Sequence, residues 1–96
     1  MKVYLTAIVK SKPEHTADVL ALLQNMVVHS RKEAGNLQYD LHRDKADENT
    51  FVFYEIWQSE EILQRHNEQP YLKDFIDIIA YKLQQQPVII KMELLS

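Results

Sequence analysis

Glu55, Trp57 and His66 are the residues whose types and spacing point most directly to chemistry. They fall in one run, residues 51–66, FVFYEIWQSEEILQRH. Aromatic walls, an acid on the strand and a histidine base on the helix that follows are the makings of a pocket for a small organic ligand. Phe51, Phe53, Glu55 and Trp57 alternate with Val52, Tyr54 and Ile56, so a strand here puts the carboxylate on an aromatic face. A carboxylate buried on such a face needs partners or a raised pKa. Two roles are open to it: an acid, base or orienting acceptor in a pocket, or a structural acceptor for a tyrosine hydroxyl, an arginine or a backbone amide. His66 follows Ile62 and Leu63 by four and three residues, which places it near their face of a helix. At the edge of an apolar pocket a histidine shuttles protons near neutral pH; at a helix end it instead satisfies terminal carbonyls. Trp57 is either a packing residue or a flat wall for an aromatic substrate.

Further candidates surround this run. Tyr39 shares a strand face with Leu37 and Leu41, and its hydroxyl is expected to meet Glu55 across paired strands. Asn36 follows Gly35 at a helix-to-strand corner, as a turn residue or a substrate contact. Tyr71 and Phe75 stand four residues apart on a helix, with Tyr71 projecting toward the cleft and Phe75, like Phe53, forming wall. His15, His29 and His42 are scattered, and no histidine pair or carboxylate has metal-ligand spacing, so no metal site is expected. With one glycine in the chain there is no phosphate-cradling loop, and serine-nucleophile motifs are missing too. Nucleotide cofactors therefore have no visible home.

The elements that must position these residues follow from periodicity. Residues 2–10 alternate as a strand with neither face strongly polar. Ser11 with Glu14 reads as a capping box, with Pro13 in the first turn of a helix running to about residue 32. Gly35 suits a left-handed cap after it. Residues 37–44 read as a second strand, 45–50 as a polar hairpin loop and 50–58 as a third strand. Ser59 caps a short helix to about residue 67. Pro70 opens another, with Leu72, Phe75, Ile76, Ile79 and Leu83 on one stripe, and Pro87 stops it. Residues 88–95 form a last strand. The order βαββαβ is the ferredoxin-like α+β arrangement, a four-stranded antiparallel sheet with helices on one face. A sheet apolar on both faces must be covered on both, so a second copy of the chain is expected on the open face, as a two-fold homodimer.

Bulk properties limit the alternatives. The 96 residues suit one domain, 1–96, whose small core gains from association. A net charge of −3 with no basic block removes the electrostatic footprint of a nucleic-acid binder. No apolar run reaches the roughly 18 residues of a membrane span. The start, MKVYLTAIVK, lacks the apolar core and cleavage site of a signal peptide. With no cysteine there is no disulfide or thiolate chemistry, and a cytoplasmic protein is expected.

Taken together, SRKEAGNLQY at residues 30–39, the strand 51–57 with its Glu-x-Trp, Ser59, His66 and Gln69-Pro70-Tyr71 resemble the antibiotic biosynthesis monooxygenase family in order and spacing. The resemblance implies a dimeric α+β barrel with a pocket between sheet and helices in each subunit. It also implies cofactor-independent oxidation of phenols, anthrones or quinols by O2, started by deprotonating the substrate. On that reading His66 is the proton acceptor, Glu55 and Tyr39 bind or orient the oxyanion, and Trp57, Phe53 and Phe75 wall the pocket. Relatives that degrade haem use a histidine ligand whose position falls near Ile76, and a strand-one asparagine missing around Thr6-Ala7, so haem chemistry is disfavoured. Residues 34–40 also resemble a quorum-signal isomerase, whose phosphorylated substrate would call on Arg31, Arg43, Arg65 or Lys73. A non-catalytic dimeric ligand-binding protein is the third reading.

Overall fold

Alternation sorts the first strand cleanly. In β1 (Val3–Lys10), Leu5, Ala7 and Val9 are buried, while Tyr4, Thr6 and Ile8 face the other way and are half-buried. The structure, a computed structural model, describes residues 1–96. After β1 come a short 3-10 turn (Pro13–His15), α1 (Thr16–Ser30), β2 (Asn36–Asp44), β3 (Asp47–Trp57), α2 (Glu60–Asn67), α3 (Pro70–Lys82) and β4 (Val88–Met92). The strands pair antiparallel in the order β2-β3-β1-β4. This is the ferredoxin-like α+β fold expected from the element order.

Pairing register assigns every strand residue to a face. Tyr39, Glu55, Leu5 and Lys91 form one row across the sheet, and Leu41, Phe53, Ala7 and Ile89 the next. This inner face packs on Val19, Leu23 and Met26 of α1, Leu63 of α2 and Phe75 of α3. Trp57, Phe51 and Phe53 sit at the centre, almost without exposure. Each large apolar side chain buried this fully contributes ~1.5–3 kcal/mol. The outer face carries Tyr4, Ile56 and Met92 in one row, Thr6, Tyr54 and Ile90 in the second, and Ile8, Val52 and Val88 in the third. No helix covers it, and Val88, Ile90 and Met92 are exposed.

Several local expectations are corrected. Ser11 does not cap a helix. It is fully buried, pairs as a bridge with Leu83, and its Oγ lies 2.9 Å from Thr16 Oγ1. Its amide donates to Asn49 O, so the sheet ladder takes the groups that a capping box would use. Helix α1 therefore starts only at Thr16, without a side-chain cap. Leu37 leaves the inner face because the register shifts between Asn36 and Gln38, which exposes it. The hairpin is tighter than its polar composition suggests. Asp47 accepts from the Asn49 amide and the Thr50 hydroxyl, and β3 extends back to Asp47. On α3, Ile76 points outward, and Ile78 packs against the core instead. The helix ends at Lys82 because Leu83 turns extended to bridge Ser11, and β4 stops at Met92.

Candidate active site

Helix α2 is the element that places His66, and three local features hold it. The Ser59 Oγ accepts from the Ile62 amide at 3.2 Å, capping its N-terminus as expected. Gly35, at φ +87°, lies against Ile62; a Cβ there would come within 2.8 Å of Ile62 Cγ2. Leu63 and His66 are the buried residues of the helix. Gly35 is left-handed as expected, but in the turn that enters β2 rather than at the end of α1.

His66 is 2% exposed. Its Nδ1 lies 2.7 Å from Glu33 Oε2, and the Tyr71 hydroxyl donates to the same oxygen. A carboxylate accepting from both fixes Nδ1 as the protonated nitrogen and leaves the Nε2 lone pair free. The imidazole lies against the Trp57 indole, ring centres 4.3 Å apart, and meets Tyr39 edge-on at 5.5 Å. Burial pushes its pKa below the ordinary value, and Glu33 opposes that by favouring the charged form.

Glu55 is buried beside it on the neighbouring strand. Its Oε1 accepts from Trp57 Nε1 at 2.9 Å, two residues along the same strand face. Burial raises its pKa to about 7, the indole bond opposes the shift, and the charge of Glu33 adds to it. Tyr39 is the register partner of Glu55, but the two side chains form no hydrogen bond; the Glu55 oxygen goes to the indole N–H instead. The Tyr39 phenol is driven far above its usual range, first by burial and then by the Glu55 charge.

These groups border a cavity of about 150 Å³ between the sheet and the helices. Of the residues singled out in the sequence, His66, Glu55, Tyr39, Phe53 and Phe75 line it. Trp57 stands behind the wall, fully buried, where it ties Glu55 to His66. Asn36 lies at the irregular start of β2, its side-chain Nδ2 donating to Gln38 O. Tyr71 turns to Glu33 and stacks on His29 at 5.2 Å. Three participants escaped sequence reasoning. Glu33 sits 33 residues from His66 and only the fold joins them, although it lies inside the 30–39 segment that carried the family resemblance. Asn67 and Lys91 also line the cavity; strand alternation alone put Lys91 on a mixed strand with no mark of a site. The four cations offered for a phosphate lie elsewhere. Arg31 pairs with Asp40, Arg65 with Glu61, Arg43 stands over Phe51, and Lys73 is exposed on α3. Ile76, at the haem-ligand position, is on the outside of α3.

Fold and cavity together define a class: a ferredoxin-like α+β domain with a small apolar pocket, a carboxylate-oriented histidine and a second buried carboxyl. The chain belongs to the antibiotic biosynthesis monooxygenase family, which matches residues 3–78. It is 42% identical over 74 residues to the Bacillus subtilis (strain 168) protein named "Putative monooxygenase YcnE", covering 77% of this chain and 78% of that one. The crystal structure of PA3566 from Pseudomonas aeruginosa is 32% identical, with a TM-score of 0.92 over 99% of this chain and 95% of that one. The crystal structure of an antibiotic biosynthesis monooxygenase is 28% identical, with a TM-score of 0.91 over 98% and 99%. Membership and these likenesses support a monooxygenase-type function in general terms. No helix is long and apolar enough to cross a membrane.

Proposed function

We propose that the chain is a cofactor-independent monooxygenase that oxidises a small quinol or polyphenol with O2 in the cavity beside His66. The observation that carries this reading is the Glu33–His66 pair at the wall of an apolar cavity. A buried imidazole held by Nδ1 and kept neutral by burial is a base with one free nitrogen. His66 Nε2 takes the phenolic proton of the substrate. The phenolate delivers electron density from its ortho carbon to O2, and a C–O bond forms to give a peroxide at that carbon. The proton held on His66 passes to the distal oxygen. Loss of the ring C–H proton and cleavage of the O–O bond then release water and leave a carbonyl. For a simple hydroquinone the products are a hydroxyquinone and one water, all four electrons taken up by O2 coming from the ring. Glu55, with its pKa near 7, donates from its protonated form to the developing oxyanion, while Tyr39, Phe53 and Phe75 keep the cavity dry. A cavity of this volume suits one aromatic ring, since an apolar cavity of about 150 Å³ holds a benzene.

The carbonyl-isomerase reading uses the same base and needs no oxygen. None of the four cations named for its phosphorylated form lines the cavity. The homodimer belongs to the same proposal. The uncovered outer face, with Ile8, Tyr54, Ile56 and Ile90 in register across three strands, is the surface that a second copy would bury. Oxygen uptake with a panel of single-ring hydroquinones tests the oxygenase. Uptake without added metal, flavin or nicotinamide is expected. Turnover of a carbonyl substrate under nitrogen supports the isomerase instead.

A further inference from the structure

Lys91 is the one cation among the fifteen residues around the cavity, ten of which are hydrophobic. It stands on the inner face of β4, in the row Glu55, Leu5, Lys91. Two strand spacings, roughly 9–10 Å, separate it from Glu55, with the apolar floor of Leu5 between them. Its ammonium, half-exposed, pairs with Glu60 in the first turn of α2. One end of the cavity thus holds the acid–base groups Glu55 and His66, and the other ends at a positive charge at the solvent boundary. An anionic group drawn into such a wall without a cation pays a desolvation cost that Lys91 offsets.

We propose that Lys91 is a specificity-determining residue, and that the substrate is a single-ring polyphenol carrying a carboxylate on the side of the ring opposite the reacting hydroxyl. The hydroxyl lies at Glu55 and His66; the carboxylate takes the Lys91 ammonium in place of Glu60. The inference rests on the pocket being the ligand site. It extends that reading by naming a charged substituent and the residue that binds it. The Lys91–Glu60 pair is half-exposed at both ends, so an incoming carboxylate displaces a weak partner.

Trp57, the only tryptophan, contacts both Glu55 and His66, so its fluorescence reports occupancy. The experiment titrates 4-hydroxybenzoate and phenol under nitrogen into the wild type, Lys91→Gln, Lys91→Arg and Glu60→Gln. The wild type is expected to bind 4-hydroxybenzoate about ten-fold more tightly than phenol, in line with one charge-assisted contact. Lys91→Gln removes that preference; Lys91→Arg keeps it. Glu60→Gln frees the ammonium and strengthens 4-hydroxybenzoate binding. Phenol binding with no preference for the acid, or a preference that survives in Lys91→Gln, overturns the role of Lys91 and leaves the pocket reading standing. Failure of both ligands to bind the wild type overturns both.

Discussion

At the scale of single residues, two buried titratable groups sit in different environments. His66 is buried with its Nδ1 held by Glu33, and Glu55 is buried with only an indole N–H for a partner. Catalysis that needs neutral His66 and protonated Glu55 has a bell-shaped pH profile. It rises through the depressed histidine pKa, below 6.5, and falls through about 7. Glu33→Gln removes the group that holds the histidine pKa up, so the acid limb moves to lower pH while kcat drops about 10–100-fold. A steady-state pH series on both proteins checks this; an unmoved acid limb contradicts the pairing. Glu55 also has a stability signature. The folded chain keeps its proton to about pH 7, whereas the unfolded chain releases it near 4.5. The folded state therefore binds more protons between those values, and stability falls as pH rises through that window. Glu55→Gln removes this dependence and is expected to exceed the wild type by ~2–3 kcal/mol above pH 7, with little difference below pH 4.5. Urea unfolding at pH 4.5 and 8 reads it. Glu55 was legible in the sequence because a carboxylate on an aromatic strand face breaks the pattern. Its partner was not. An indole two residues along the same strand competes for the oxygen that Tyr39 was expected to meet, and alternation cannot rank side chains that share one face.

At the scale of elements, α2 carries the base, and its eight residues depend on what holds them. Gly35 is where its position is most exposed to damage. Gly35→Ala puts a Cβ into Ile62 at a backbone angle that L residues rarely adopt. A loss of about 1–3 kcal/mol is expected, with a drop in kcat as α2 moves and takes His66 from Glu33. Ser59→Ala removes the helix cap and costs ~1 kcal/mol, with a smaller effect on rate. Thermal melts and kcat for the two variants check both; a full rate in Gly35→Ala contradicts the placement of His66 through Ile62. The cap at Ser59 was readable because a serine before two acids and an apolar pair is a local signal. The false cap at Ser11, with Glu14 three residues on, is as clear a local signal. What overrides it is non-local: the β1 ladder continues through Ser11 to Asn49 and Leu83. The exposure of Leu37 likewise follows from a register shift against β3, which the alternation of β2 alone does not contain.

At the scale of the whole molecule, the βαββαβ order was legible because its strands and helices differ in period and are punctuated by Pro13, Pro70, Pro87 and Gly35. Pocket shape was not, since Glu33 reaches His66, and Lys91 reaches the cavity, only through the sheet order and the packing of α2. The same order leaves one apolar sheet face open. A charge placed in its middle, Tyr54→Lys, is expected to convert a dimer to a monomer and to lower the melting temperature, because the face loses its cover. Sedimentation equilibrium decides it: a wild type that is monomeric at tens of micromolar contradicts the proposed assembly. The most direct measurement of the whole account is O2 uptake by wild-type protein and His66→Gln with a single-ring hydroquinone and no added cofactor. The expected result is one O2 consumed for each quinone formed by the wild type, and a rate at least a hundred-fold lower in His66→Gln. Equal uptake by the two proteins, or none by either across the hydroquinone panel, contradicts it.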